Sequence, residues 1–157
     1  MSRDSSDIDN ALVQRLCSDS ALLALCPDNV HINVAPAGSK RFVIVSVVDA
    51  QDVSIFGGRA IEDILYLVEA RMLNTPAGGD IKGAAARIDA LLEDQPLTVP
   101  GYGWMATFRE NRERDDEVDG LDTTIQWARR GGHYRVQMAI DPGYSRVTNG
   151  AAMRVGR

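Results

Sequence analysis

Positive charge, thiols and histidines are all scarce in this 157-residue chain, and each shortage excludes something. There are 17 lysines and arginines against 22 acids, a net charge of -5. General binding to nucleic-acid backbone needs a surplus of cations, so that class is disfavoured. The two cysteines, Cys17 and Cys26, lie near the start among apolar neighbours. With no further cysteine, and with His31 and His133 isolated, neither a zinc set nor a disulfide framework is assembled. They are expected to be reduced, buried thiols. Long apolar runs are absent too. No stretch approaches the roughly 20 residues of a membrane span, and the polar start, residues 1–7, has no apolar signal core. The expectation is a product made in the cytoplasm, with no membrane partner.

Reactive motifs are also missing. No Gly-rich phosphate loop has Walker or Rossmann spacing, because Gly101-Tyr-Gly103 follows Pro100 and opens no helix. There is no nucleophile elbow. Two tight acidic pairs, Glu62-Asp63 and Asp115-Asp116, could in principle bind magnesium or move protons. Adjacent acids on a strand point to opposite faces, however, and a charge run is usually solvated. Arg129-Arg130, followed by Gly131-Gly132, could touch a phosphate but reads first as a solvated turn. No catalytic residue, cofactor or metal is expected.

What is present is a pattern of apolar residues. With 45% hydrophobic and 25% charged residues, the chain has an ordinary globular composition. Its length favours one domain that buries about two-thirds of its unfolded surface. Residues 1–7 read as disordered, 8–140 as the domain, and the Gly-rich 141–157 as a flexible tail. The helical region Ile8 to Leu25 carries Ile8, Leu12 and Leu16 on one face, is interrupted at Ser18-Asp19-Ser20, and stops at Pro27. Asp7 or Asp9 could cap it. Val30 to Val34 alternates as a short strand, and Pro36-Ala-Gly38 turns the chain. Arg41 to Val48 is the strongest strand, β-branched and apolar on both faces, so it is expected to be central and covered.

Gln51 to Arg59 reads as a loop with Gly57-Gly58 at its tip. It is either a plain hairpin end or an arm that packs on a neighbour. Ala60 to Met72 fits a helix stripe or a strand face. Strand is preferred for its β-branched and aromatic content. Thr75 to Gly79 is a linker turn. Asp80 is expected to cap a helix to Glu93 with Ile81, Ala84, Ala85, Ile88, Leu91 and Leu92 inward, ended by Pro96 and Pro100. Tyr102 to Phe108 alternates, with Trp104, Ala106 and Phe108 on one face. Arg109 to Gly120 is too charged for core and is expected mostly to face water. Leu121 to Trp127 alternates again, Arg129 to His133 reads as a turn or kink, and Tyr134 to Met138 closes the fold. The aromatics Trp104, Phe108 and Trp127 read as core rather than as a stacking platform. The sum is α+β: a mainly antiparallel β-sheet with two amphipathic helices packed on one face.

This order resembles a known family. Ala11-Leu-Val-Gln-Arg-Leu-Cys-Ser-Asp-Ser-Ala-Leu-Leu-Ala-Leu25 is similar to the opening helix of the tail-terminator, or tail-completion, neck proteins of long-tailed bacteriophages. Val30-His-Ile-Asn-Val34, the strands Phe42 to Val48 and Ile64 to Leu73, the helix Ala84 to Leu92 leading into Pro96-Leu-Thr-Val, and Gly132-His-Tyr-Arg-Val-Gln-Met138 follow the family's order. The likeness spans residues 8 to 138 and does not include Glu110 to Asp119 or the tail. It implies a structural virion protein, assembled in the host cytoplasm. Such proteins form a homo-oligomeric ring, commonly a hexamer, that caps the tail-tube protein, stops tube growth and offers a surface to a head-completion or stopper protein. DNA passes through the lumen without specific binding. A head-closure or adaptor role is the near alternative; a small metal-dependent or ligand-binding domain is the distant one. Candidate subunit or partner contacts, chosen by expected exposure, are Ile55, Phe56, Gly57, Arg59, Arg112, Arg114, Asp115, Asp116, Arg129 and Arg130.

Overall fold

The computed structural model describes residues 6–74, 79–118 and 120–140. The expectations for residues 1–5, for the turn at 75–78 and for the tail 141–157 lie outside the described residues. The fold is α+β, with three helices and a five-stranded sheet of order β1-β2-β3-β5-β4 among the described residues. Helix α1 is Ser6–Cys17, so Ser6 and Asp7 belong to it rather than to a disordered start. Its Ile8, Leu12 and Leu16 recur at a spacing of four and are fully buried. Asp7 and Asp9 occupy its first turn, where negative charge suits the helix dipole. The interruption at Ser18-Asp19-Ser20 is real. Asp19 caps the separate helix α2, Ser20–Leu25, by accepting from the Leu22 amide at 2.9 Å.

Strand β1 (Val30–Ile32) runs parallel to β2 (Arg41–Ile55), and all other pairings are antiparallel. Phe42 to Val45 of β2 are buried on both faces, as expected, but past the half-buried Ser46 the strand continues exposed for nine residues. The segment Gln51 to Arg59 is therefore not a loop. It is the outer end of a long β2–β3 hairpin whose turn is only Phe56-Gly57, with Gly57 at φ 91°. Strand β3 is Gly58–Leu73, which settles the helix-or-strand ambiguity over Ala60 to Met72 in favour of strand. Ile64, Tyr66, Val68, Ala70 and Met72 line one face and are buried.

Helix α3 is Gly79–Leu92, with Ile81, Ala84, Ile88 and Leu92 buried. Asp80 lies inside its first turn rather than capping it, and its carboxylate meets Arg41 at 2.9 Å. The helices cover one sheet face. Two tyrosines rise from the sheet to hold them: Tyr66 donates to Asp9 of α1, and Tyr134 donates to Asp89 of α3 at 2.9 Å. Arg87 of α3 grips Asp19 at 2.6 and 2.7 Å, tying α3 to α2.

The second half of the sheet corrects four expectations. Strand β4 is continuous from Tyr102 to Val118, so the charged segment is strand, not loop. Its charges are tolerated because they alternate between the two faces of an edge strand. A bulge between Trp104 and Ala106 breaks the expected common face. Trp104 stays on the helix side, packed on the core, while Ala106 and Phe108 turn to the other side. Leu121 to Ile125 is not strand, because Asp122 turns the chain there. Its carboxylate accepts from the Thr124 amide at 3.0 Å and hydroxyl at 2.6 Å. Finally, Arg129 to His133 is no turn but the middle of β5 (Gln126–Ile140). A Cβ on Gly131 would lie 2.0 Å from the Val68 carbonyl oxygen, and one on Gly132 would lie 2.6 Å from that of Asn111. The glycines are there for close strand approach, not for bending.

Candidate functional site

The exposed sites form along two strand edges rather than in a cavity. Strand β1 is three residues long and pairs only with Val43 to Val45. Beyond it, among the described residues, nothing pairs with the outer edge of β2. Val47, Val48, Val53 and Ile55 lie along this stretch and are exposed, and Phe56 at the turn is fully exposed. The other outer strand is β4, where Met105, Phe108 and Val118 are exposed; the Asp94 amide donates to the Thr107 carbonyl and the Arg109 amide to the Glu93 carboxylate, both at 2.7 Å, which leaves 111–118 as its open stretch.

The sequence candidates fall into two groups. Ile55, Phe56, Gly57 and Arg59 do come together, at the β2–β3 tip, where Arg59 meets Asp52 at 3.3 Å. Arg112, Arg114, Asp115, Asp116, Arg129 and Arg130 come together on the outer half of the β4–β5 ladder: Asp115 lies opposite Arg129 and Arg114 opposite Arg130. The two groups sit at opposite ends of β3, about 40 Å apart at about 3.3 Å per residue. They are two surfaces, not one site.

The β4–β5 ladder is chemically two-faced. On the face away from the helices, Asp115 holds Arg129 at 2.5 Å, Glu110 holds Arg135 at 2.5 Å, and His133 Nδ1 lies 3.1 Å from Glu113. The Arg129 guanidinium keeps the Asp115 carboxyl below the usual carboxylate range, and Glu110 and Asp63 push the Arg135 guanidinium higher still. On the helix side, the register places Arg112, Arg114 and Arg130, with Asp116 next along β4, and no ion pair joins any of the three arginines to an acid among the described residues. Like charges directly opposite on a ladder are unfavourable, so the Arg114–Arg130 pair is a local cost. Sequence reasoning picked these residues but missed this division. The signal was a period of two in charge sign: Arg112, Glu113, Arg114, Asp115.

The acids considered for chemistry do not converge. Asp63 is held by Arg135 and by Gln137 at 3.0 Å, whereas Glu62 is buried on the opposite face beneath the helices with one carboxylate oxygen unpartnered. No three of His, Cys, Asp or Glu lie together as a metal set among the described residues. Cys26 is buried and Cys17 half-buried, and they are not joined. Burial pushes the Cys26 thiol up to about 11, the opposite of what a reactive thiol needs. Arg129 is engaged by Asp115, so it is not a free phosphate contact. Trp127 packs edge-on against Phe42, ring centroids 5.8 Å apart, on the face away from the helices. Phe108 is exposed on that face, so of the three aromatics only Trp104 joins the main core. An open groove of about 650 Å³ between α1 and residues 96–100 contains Arg15, already bonded to the Leu91 and Pro96 carbonyls. No helix is long and apolar enough to cross a membrane among the described residues.

The chain's fold is found in solved structures. It is similar to a chain in the virion of a native gene transfer agent particle, with a TM-score of 0.65 and 17% identity over 86% of this chain and 96% of that one. A second solved structure matches with a TM-score of 0.54 and 14% identity, over 89% of this chain and 97% of that one. No family model matches the chain, and no curated protein matches it.

Proposed function

We propose that this chain is a structural subunit of a phage-like virion, acting by assembly rather than catalysis, and specifically a tail terminator. The carrying observation is the shared fold with a chain of a gene transfer agent virion, along nearly all of both chains. The open stretches of the two outer strands, Val47–Ile55 and 111–118, and the exposed apolar tip fit a subunit that completes itself against neighbours. In this role the chain forms a homohexameric ring on the end of a tail tube. The ring stops tube growth, presents a surface to a head-completion protein, and lets DNA through an opening that the net negative charge keeps from gripping it. A head-closure or adaptor subunit would use the same fold and differ in partner. Cosedimentation with polymerised tail-tube subunits, compared with portal-side neck proteins, separates the two. Capture by the tube supports the terminator; capture only by the portal side replaces it with the adaptor.

A further inference from the structure

We propose that the free edge of β2, Val47–Ile55, pairs in antiparallel fashion with the β4 edge of a second copy, so that the sheet continues from subunit to subunit. This rests on the ring-forming role above and names the surface that forms the ring. Three observations carry it. First, the edges complement each other in direction. Strand β1 is parallel to β2, β3 is antiparallel to it, and β5 and β4 alternate in turn, so β4 runs opposite to β2. A neighbour in the same orientation therefore brings an antiparallel β4 against β2, and the unpaired amides and carbonyls of Val47–Ile55 and of the open outer half of β4, 111–118, can exchange hydrogen bonds, the inner half being capped by residues 93–94 at Thr107 and Arg109.

Second, the exposed apolar side chains gather on these two edges. Val47, Val48 and Val53 lie on one, and Val118 on the open half of the other. A natural edge meant to stay solvated carries lysine, proline or a short strand. The β1 edge is short in that way, whereas the β2 edge has neither lysine nor proline; its protection is a bulge at Val48 and the charges of Asp49 and Asp52.

Third, charge is complementary on matched faces. Asp52 pairs in register with Glu62, which is buried beneath the helices, so Asp52 lies on the helix side of β2. No base lies on β2 from Val47 to Ile55, and the contact of Asp52 within the subunit is an exposed one, with Arg59 of β3 at 3.3 Å. On the same side of β4 stand Arg112 and Arg114, without carboxylate partners and with Arg130 beside them. A continuous sheet keeps these sides together and brings the neighbour's acid to the arginines, which relieves the like-charge opposition within the subunit.

Light scattering behind size exclusion on the full chain tests this with four proteins: wild type, Val53→Lys, Asp52→Arg, and Asp52→Arg combined with Arg112→Asp and Arg114→Asp. All changes are at exposed positions, and far-UV circular dichroism checks that each protein folds. The expected result is an oligomer for wild type, its loss in Val53→Lys and Asp52→Arg, and its return in the triple variant. Oligomers of unchanged size in both single variants overturn the edge pairing and leave the ring-forming role standing on another surface. A wild type that stays monomeric at its highest soluble concentration overturns the pairing, while tube binding still tests the terminator role separately. Binding of duplex DNA that Arg112→Asp with Arg114→Asp abolishes, with no change in oligomer, also overturns it and assigns the arginines to a polyanion instead.

Discussion

At the scale of single residues, Asp19 carries more than one job. It caps α2, and it takes both contacts from Arg87, which hold its carboxyl below the ordinary aspartate range. A carboxyl whose folded pKa lies below its unfolded one adds stability above the unfolded value. That stability is lost as pH falls through the folded value. Urea unfolding of Asp19→Asn should therefore show a flatter decline towards acid than wild type. At neutral pH, Asp19→Ala should cost about 1–2 kcal/mol, as lost caps do. Gly131 offers a second test. A Cβ there would press into the backbone of β3, so Gly131→Ala should lower stability by about 1–3 kcal/mol or more, as overpacking does. If its denaturation midpoint equals that of wild type, the close approach of β5 to β3 is wrong.

Elements were legible where their hydrophobic period was clean. Ile8-Leu12-Leu16 and Ile81-Ala84-Ile88 gave helices, and Ile64-Tyr66-Val68-Ala70-Met72 gave a strand face despite its helical rival. The helix face of the sheet could be read for the same reason. The outer half of β4 could not, because its side chains alternate in charge rather than in polarity and burial does not select them. Gly131-Gly132 misled because glycine pairs more often mark turns than tight strand packing. Bulges at Met105 and Glu110 were invisible, since one inserted residue swaps faces without changing composition. The candidate contacts were found by expected exposure alone. Their division into two surfaces at opposite ends of β3 depends on strand pairing, which no local pattern encodes. At this scale the β2–β3 tip makes its own prediction. Phe56 is fully exposed, so Phe56→Ser should leave the unfolding free energy of the isolated chain within about 0.5 kcal/mol of wild type in chemical denaturation. The same change should weaken assembly in a light-scattering titration if the tip is an arm.

The whole molecule has a well-held helix face and two unfinished edges. Tyr66 and Tyr134 are buried and bonded to Asp9 and Asp89, so the helix layer is pinned to the sheet. Tyr134→Phe should cost about 0.5–1.5 kcal/mol in chemical denaturation, the usual value of one buried hydrogen bond. The outer halves of the two edges, Val47–Ile55 and 111–118, have no such closure within the subunit, and a rigid body with complementary open edges closes into a ring when its rotation fits. Negative-stain imaging of the full chain, alone and mixed with tail tubes, tests the central claim most directly. The account predicts rings of about six subunits with a central hole, or the same rings seated on tube ends and arresting their growth. A chain that stays monomeric and neither binds the tube ends nor stops their growth would contradict it.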